Sequence, residues 1–279
     1  PGFSSSAMAQ HDAEEKTELE LLRDFAHFVT LGAYDVAEGI AGELLDRGLT
    51  DIEFVELVEE SRERGRFDSA VASAMRAPQL EELAAEMDRK YRGGKLARAR
   101  MPDEVTRHIK DLSEGGLRAR TMAKERLLSA GEYAMPQLLE AYLAQGNPRL
   151  KAEVQKVIVE MGRQAIMPMT AALDKLDPAR QEAVAELLGL VDYRTSLPFL
   201  TRLYQETDVE SVREACAWSI GRLEGSPNMD VANLYYSLGE AYYDERSELT
   251  SFAGEDYQLL WDFDPTIGLI PTPILSQAY

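Results

Sequence analysis

Cysteine is almost missing from this chain: Cys216 stands alone among 279 residues. A single thiol excludes an internal disulfide framework and any multi-thiolate metal centre. Histidine is nearly as scarce, with His11, His27 and His108 scattered and no pair at metal-ligand spacing. No metal site is therefore expected. Glycine pairs occur at Gly93-Gly94 and Gly115-Gly116, but neither has the spacing or the following Lys-Ser/Thr of a phosphate-binding loop, so no nucleotide or other cofactor is expected. Apolar runs are short, and none approaches the roughly 20 residues that a membrane span takes. Positive charge is in deficit: 30 Lys and Arg face 49 Asp and Glu, a formal net charge of −19. Long-range repulsion from such a chain slows the approach of a polyanion, which argues against a nucleic-acid partner.

What is present is a folded composition, 45% hydrophobic and 28% charged, with room for one or two domains. The acidity is uneven, with a net −13 over residues 1–87, +6 over 88–126 and −12 over 127–279. Arg89, Lys90, Arg92, Lys95, Arg98 and Arg100 form a basic island around Gly93-Gly94, a pair that reads as a loop or helix break. Two readings of the island stand, an anion contact or a solvated linker that pairs with acids of its own chain. The linker reading is preferred, because Tyr91 is the single aromatic residue available for base stacking. At the N-terminus, Ser4-Ser5-Ser6-Ala7-Met8-Ala9 reads as a cloning scar over residues 1–9, or as the remnant of a signal-peptide site. The compartment stays open between these.

Internal repeats organise the rest. Gly32-Ala33-Tyr34-Asp35-Val36-Ala37 recurs as Gly65-Arg66-Phe67-Asp68-Ser69-Ala70, and each copy lies between two helix-periodic apolar stretches. The pattern reads as a helix, a glycine in the left-handed C-terminal position, an aromatic wedge and a closely packed return helix. Residues 17–87 thereby resemble tetratricopeptide repeats, without that family's first-helix Trp or its Gly-Tyr pair.

A second repeat family follows. Pro136, Pro168 and Pro198 each open an apolar stretch, and Asn147-Pro148, Asp177-Pro178 and Asp208-Val209 supply caps for a following helix. Those following helices align in register. Ala123, Val154, Val184 and Cys216 share one position, and Leu127, Ile158, Leu188 and Ile220 share the next apolar one. The unit Val212-Arg213-Glu214-Ala215-Cys216-Ala217-Trp218-Ser219-Ile220-Gly221 resembles the second helix of a HEAT repeat, and the likeness covers residues 114–225. By that resemblance a turn Asp and a helix-head Arg would form a ladder between neighbouring repeats. Asp208 with Arg213 fits both places, Asp177 and Lys151 fit in part, and Arg120 holds the corresponding head of the first unit.

The resemblance also implies that the exposed side of the second helices lines a concave, partner-gripping face. Helical spacing places Glu125, Leu128, Lys156, Val159, Glu186 and Trp218 on it. Leu128, Val159 and Trp218 are apolar on a side expected to be wet, which implies a cover. A partner protein is one candidate, and the chain's own residues 230–279, an aromatic helix followed by a proline-bearing extended segment with net charge −8, are the slightly preferred one. Asp262 and Asp264 have an alternate spacing seen in calcium loops, but the further ligands such a loop needs are missing.

The expected organisation is a scar at 1–9, a tetratricopeptide-like region at 10–100, HEAT-like repeats at 101–229 and the aromatic acidic segment at 230–279. The expected fold is an all-α solenoid, a right-handed superhelix of antiparallel helix pairs. The expected function is a non-enzymatic scaffold that grips a protein or peptide, a basic one being favoured by acidic steering. The alternative is an enzyme, resembling the lyases and glycosylases built on HEAT-like repeats, with a pocket between the halves. The oligomeric state is left open.

Overall fold

A computed structural model describes residues 16–62, 64–244, 246, 249 and 257–275. The scar at 1–9 and His11 lie outside the described residues. The chain divides into two compact units, one ending at Arg98 and the other beginning at Ala99.

The first unit is a stack of helices: α1 (Glu18–Thr30), α2 (Tyr34–Asp46), α3 (Asp51–Glu60), α4 (Arg64–Ala74) and α5 (Glu81–Ala99), whose last residue passes into the second unit. Two capping boxes set the starts of α1 and α3. Thr17 and Thr50 each accept from the amide three residues on, while Glu20 and Glu53 reach back to the threonine amides. Those backbone hydrogen bonds, with the threonine hydroxyls second, hold both carboxyls below their ordinary range.

The first repeat copy turns as its sequence implies, with Gly32 at φ +72° just past α1. The second copy does not. There Arg62 takes the left-handed conformation at φ +56°, and Gly65 lies inside α4. Phe67 nonetheless forms the wedge, edge-on to Phe54 and Tyr91 with ring centroids 5.9 and 5.2 Å away.

Gly93-Gly94 corrects the sequence expectation of a loop: both lie within α5. A Cβ on Gly94 would stand 1.9 Å from the Asp51 carbonyl oxygen, and one on Gly93 would stand 2.6 Å from the Asp51 carboxylate. The pair lets α5 touch the start of α3, and that contact explains why helix-weakening residues sit mid-helix. The island's cations are engaged nearby. Lys90 donates to the Leu49 carbonyl at 2.9 Å, Arg98 pairs with Glu59 at 2.7 Å, and Arg92 pairs with Asp88 at 2.7 Å.

The second unit is built from α6 (Pro102–Glu114), α7 (Leu117–Ala130), α8 (Met135–Leu143), α9 (Pro148–Met161), α10 (Ile166–Leu173), α11 (Pro178–Val191), α12 (Leu197–Glu206), α13 (Glu210–Arg222) and α14 (Val231–Tyr243). Even-numbered members through α12 are first helices of a pair, and α7, α9, α11 and α13 are second helices. Short 3-10 turns at Gly131–Ala134, Gly162–Ala165 and Arg194–Ser196 lead into α8, α10 and α12, each with its proline in the first turn where no amide is needed. The in-register residues form the seam. Ala123, Val154, Val184 and Cys216, with Leu127, Ile158, Leu188 and Ile220, are all at most 1% exposed. Each pair buries its apolar stripe against its neighbours, the defining property of an all-α solenoid. Burial pushes the Cys216 thiol up to about 12, so it serves as a small core hydrophobe.

The extended C-terminal segment is a paired element. Strands β1 (Tyr257–Asp264) and β2 (Gly268–Leu275) form an antiparallel hairpin, with Trp261 opposite Pro271 and Leu259 opposite Pro273. Two prolines two residues apart point their missing amides the same way, which a two-stranded ribbon tolerates along one edge. The turn closes with Gly268 at φ +93°, and the Asp264 carboxylate accepts from the amides of Thr266 and Ile267 at 2.7 and 3.1 Å. Asp264 is thereby committed to a turn, and Asp262 pairs with Lys175 at 2.6 Å.

Candidate functional site

The two helix layers of the second unit present different surfaces. On the first-helix side the hairpin is a cover, β1 lying on α10 and β2 on α8 and α10. Leu259, Trp261 and Leu269 join the helical core. The Trp261 indole donates to Glu132 Oε2 at 2.9 Å, and Glu132 is itself 1% exposed. Lys175 fastens the far end, donating to Asp262 at 2.6 Å and to the Phe263 carbonyl at 2.9 Å. Beside the hairpin tip is a cleft of about 480 Å³, walled by Leu139, Glu140, Leu143 and Leu176 from the helices and by Thr266 and Ile267 from the turn.

The second-helix side carries the residues singled out in the sequence. Glu125, Lys156, Glu186 and Trp218 are exposed, Trp218 to 46%. The Arg222 guanidinium lies over the Trp218 ring at 5.2 Å while its Nε donates to the Gly189 carbonyl at 3.0 Å, so the indole is supported from below. Leu128 and Val159 are half-buried and pack against the unit's own core. This corrects the inference that all three apolar residues need a cover: the repeat core already shelters two. It also relocates the C-terminal segment, whose hairpin covers first helices instead of this face. Gly189, one turn from Glu186 on α11, is buried where α11 and α13 approach closely. A Cβ there would stand 2.5 Å from Ser219 Oγ, and that hydroxyl donates to the Ala185 carbonyl at 2.7 Å.

The helix-head residues make a different connection from the inter-repeat ladder. Arg213 donates to the Thr207 carbonyl at 2.5 Å and to Glu210 at 2.9 Å. Gln181 donates to the Leu173 carbonyl at 3.1 Å, and Lys151 lies over the Tyr142 ring at 4.8 Å. Each therefore turns back onto the end of its own repeat's first helix. Arg120 has a buried Nε with no hydrogen-bond partner among the described residues. Asp177 caps α11, accepting from the Arg180 amide at 3.1 Å, as the sequence implied. Asp208 is exposed and does not cap α13, since Val209 holds the N-cap place and the Thr207 hydroxyl accepts the Val209 amide at 3.2 Å. A side chain one residue too early cannot reach the amides it was expected to serve.

Charge on the second-helix face is lopsided. Lys156 pairs with Glu153 at 2.8 Å and Lys124 with Glu160, whereas Glu125, Glu186 and Glu214 carry no ion pair among the described residues. Glu132 and the Lys175 fastening of the hairpin were missed from sequence. An acid just before the apolar run Tyr133-Ala134-Met135 gives no sign of its burial until the distant Trp261 is placed on it. Among the described residues no three His, Cys, Asp or Glu side chains gather as a metal-binding group, and no helix is long and apolar enough to cross a membrane.

Comparison with known proteins agrees with the repeat architecture. The family model of HEAT repeats matches residues 135–221, which span α8 to α13. This match lies outside residues 17–87, whose tetratricopeptide likeness rests on the repeated sequence pattern alone. The chain is also 34% identical over 88 residues to the deoxyhypusine hydroxylase of Schizosaccharomyces pombe, a stretch covering 30% of this chain and 27% of that enzyme. No solved structure matches. The hydroxylase corrects the expectation that the chain is not an enzyme, because a relative by sequence carries an enzymatic activity.

Proposed function

From the premise that this is a HEAT repeat protein across residues 135–221, we propose that its second-helix layer is a docking surface for an extended protein or peptide rich in basic residues. The observation that carries this reading is Trp218, a large aromatic left 46% exposed yet held in one orientation by Arg222. Tryptophan and arginine are the residue types that dominate interface energetics when a partner desolvates them. Around this anchor, the unpaired Glu125, Glu186 and Glu214 supply a field that attracts cations and raises encounter rates at low salt. The seam beneath is fully buried, so the support for this surface is already packed before a partner binds.

The test is a selection from a random peptide library displayed against the intact chain, followed by titration of the selected peptides. Basic sequences should be enriched. Trp218→Ala should weaken their binding at least tenfold, on the scale of an aromatic anchor. Glu186→Lys should weaken it and flatten its salt dependence. Enrichment of acidic sequences, or binding indifferent to both substitutions, would end this reading.

A second reading follows from the relative's name, a hydroxylase acting on deoxyhypusine. The 480 Å³ cleft beside the hairpin lies in the size range of small-ligand sites and brings Glu140 and Arg180 to an apolar lining. Incubation of the chain with a deoxyhypusine-bearing peptide, dioxygen and a two-electron reductant, read by mass spectrometry, should then show the gain of one oxygen atom, the second oxygen of dioxygen leaving as water.

A further inference from the structure

Trp218 is seated among groups that favour one kind of cation over another. Ser219 on α13 donates to the Ala185 carbonyl on α11 at 2.7 Å, and Arg222 donates to the Gly189 carbonyl at 3.0 Å. The two bonds fix the register of these parallel helices, with Ser219 level with Ala185 and Arg222 level with Gly189. Helical spacing then turns Trp218 outward on the side nearer α11, and it turns Glu186 outward on α11 close to the same level. Side chains on a helix lean toward its N-terminus. The Trp218 ring therefore lies over the turn that carries Glu214, and Arg222 leans onto the ring from the turn that follows, 5.2 Å from its centroid. Gly221 stands at the remaining place in that following turn. It is exposed, and a Cβ there would meet nothing within 4 Å, so no side chain shades the ring from that side.

The charges around the ring do not cancel. Glu186 and Glu214 are exposed and carry no ion pair among the described residues, and Arg213 is taken by Glu210 at 2.9 Å. Two free carboxylates thus stand against the single charge of Arg222, and that charge is partly spent on the Gly189 carbonyl. A further cation is attracted here.

Lysine and arginine answer this setting differently. An ammonium is a compact, strongly hydrated point charge, which gains from the carboxylates but loses water when it is laid against an indole. A guanidinium is planar and weakly hydrated, so it can lie flat on the ring while its in-plane N–H groups reach carboxylates at the ring's edge. Stacking and charge pairing are then satisfied by one group.

Resting on the docking surface proposed above, we infer that the partner presents an arginine whose guanidinium stacks on the Trp218 indole and hydrogen-bonds to Glu186 and Glu214. Trp218 then decides which cation is read, and the wider acidity of the face only steers.

Oligo-arginine and oligo-lysine peptides of equal length carry equal charge and so separate stacking from steering. Titrated against the full chain, the arginine peptide should bind at least tenfold more tightly, on the scale of an aromatic anchor. Trp218→Ala should abolish that ratio by weakening the arginine peptide alone, leaving two equal affinities that both fall as salt is added. Trp218→Phe should keep part of the ratio, and Glu214→Gln should weaken both peptides. Thermal unfolding of these variants should stay close to that of the unmodified chain, as for surface sites. Equal affinities of the unmodified chain for the two peptides would overturn the inference, and the docking surface would still stand if Trp218→Ala weakened both. A preference for arginine that survives Trp218→Ala would also overturn it, because the acids alone would then be its source. Binding of neither peptide would end the docking surface and the inference together.

Discussion

Among the described residues, the first-helix side of the second unit is covered and the second-helix side is bare, although the same repeats build both. On the covered side the chain spends a buried Trp261, a buried Glu132 and the Lys175 pair to hold a hairpin over α8 and α10. On the bare side it spends Arg222 to hold Trp218 out into water. Two tryptophans are present, and their opposite fates separate a surface closed for stability from one kept open.

The largest effect that would break this contrast is Trp261→Ala. Removing a buried indole of this size costs about 3–5 kcal/mol, and here it also strips Glu132 of a donor. Thermal unfolding should fall by roughly 10 °C, while peptide binding at the second-helix face persists in whatever fraction stays folded. Loss of binding with stability intact would show that the two sides are not independent.

Gly189→Val comes next and acts from beneath the open face. Its side chain would strike Ser219, so α13 must shift, with a cost of about 1–3 kcal/mol typical of overpacking. Because α13 carries Trp218, binding should weaken as well, and calorimetry alongside titration would report both. Ser219→Ala removes the smaller part of that contact, the bond to the Ala185 carbonyl, and should cost about 1 kcal/mol in denaturant unfolding.

A pH titration sharpens the comparison further. His108 in α6 is 8% exposed, and burial first, then Arg107, depress its affinity for a proton. Its folded value lies below its unfolded one, so the stability it contributes is complete above about 6.5, the ordinary histidine value. That contribution is lost as pH falls through the folded value. Unfolding midpoints should therefore decline below about pH 6.5 and decline less in His108→Gln. The smallest stability effect belongs to Trp218→Ala, at most about 0.5 kcal/mol, as for an ordinary surface site.

Much of the array was legible because periodicity is a local property. Val154, Val184 and Cys216 could be aligned by counting, and all proved fully buried. Proline and Asn or Asp at helix starts were equally readable at Pro148, Pro178, Asn147 and Asp177, since a cap acts within one turn. Interactions between distant segments were not legible. Gly93-Gly94 reads as a break until Asp51 is placed against it, and nothing local marks Gly189 as a close approach until Ser219 is placed there. The strand pairing of Leu259 with Pro273 depends on a ribbon having a free edge, which no local rule announces. The helix-head residues failed in a related way: the heads of α9, α11 and α13 were found by counting, but the groups they bind lie on their own first helices instead of the next repeat.

The claim that the bare second-helix side is the working surface meets its most direct test in a paired titration of selected basic peptides against Trp218→Ala and against Ile267→Asp, the latter altering the hairpin cleft. The account predicts that Trp218→Ala lowers affinity at least tenfold and that Ile267→Asp leaves it unchanged. The reverse pattern would move the binding surface to the hairpin and contradict the account.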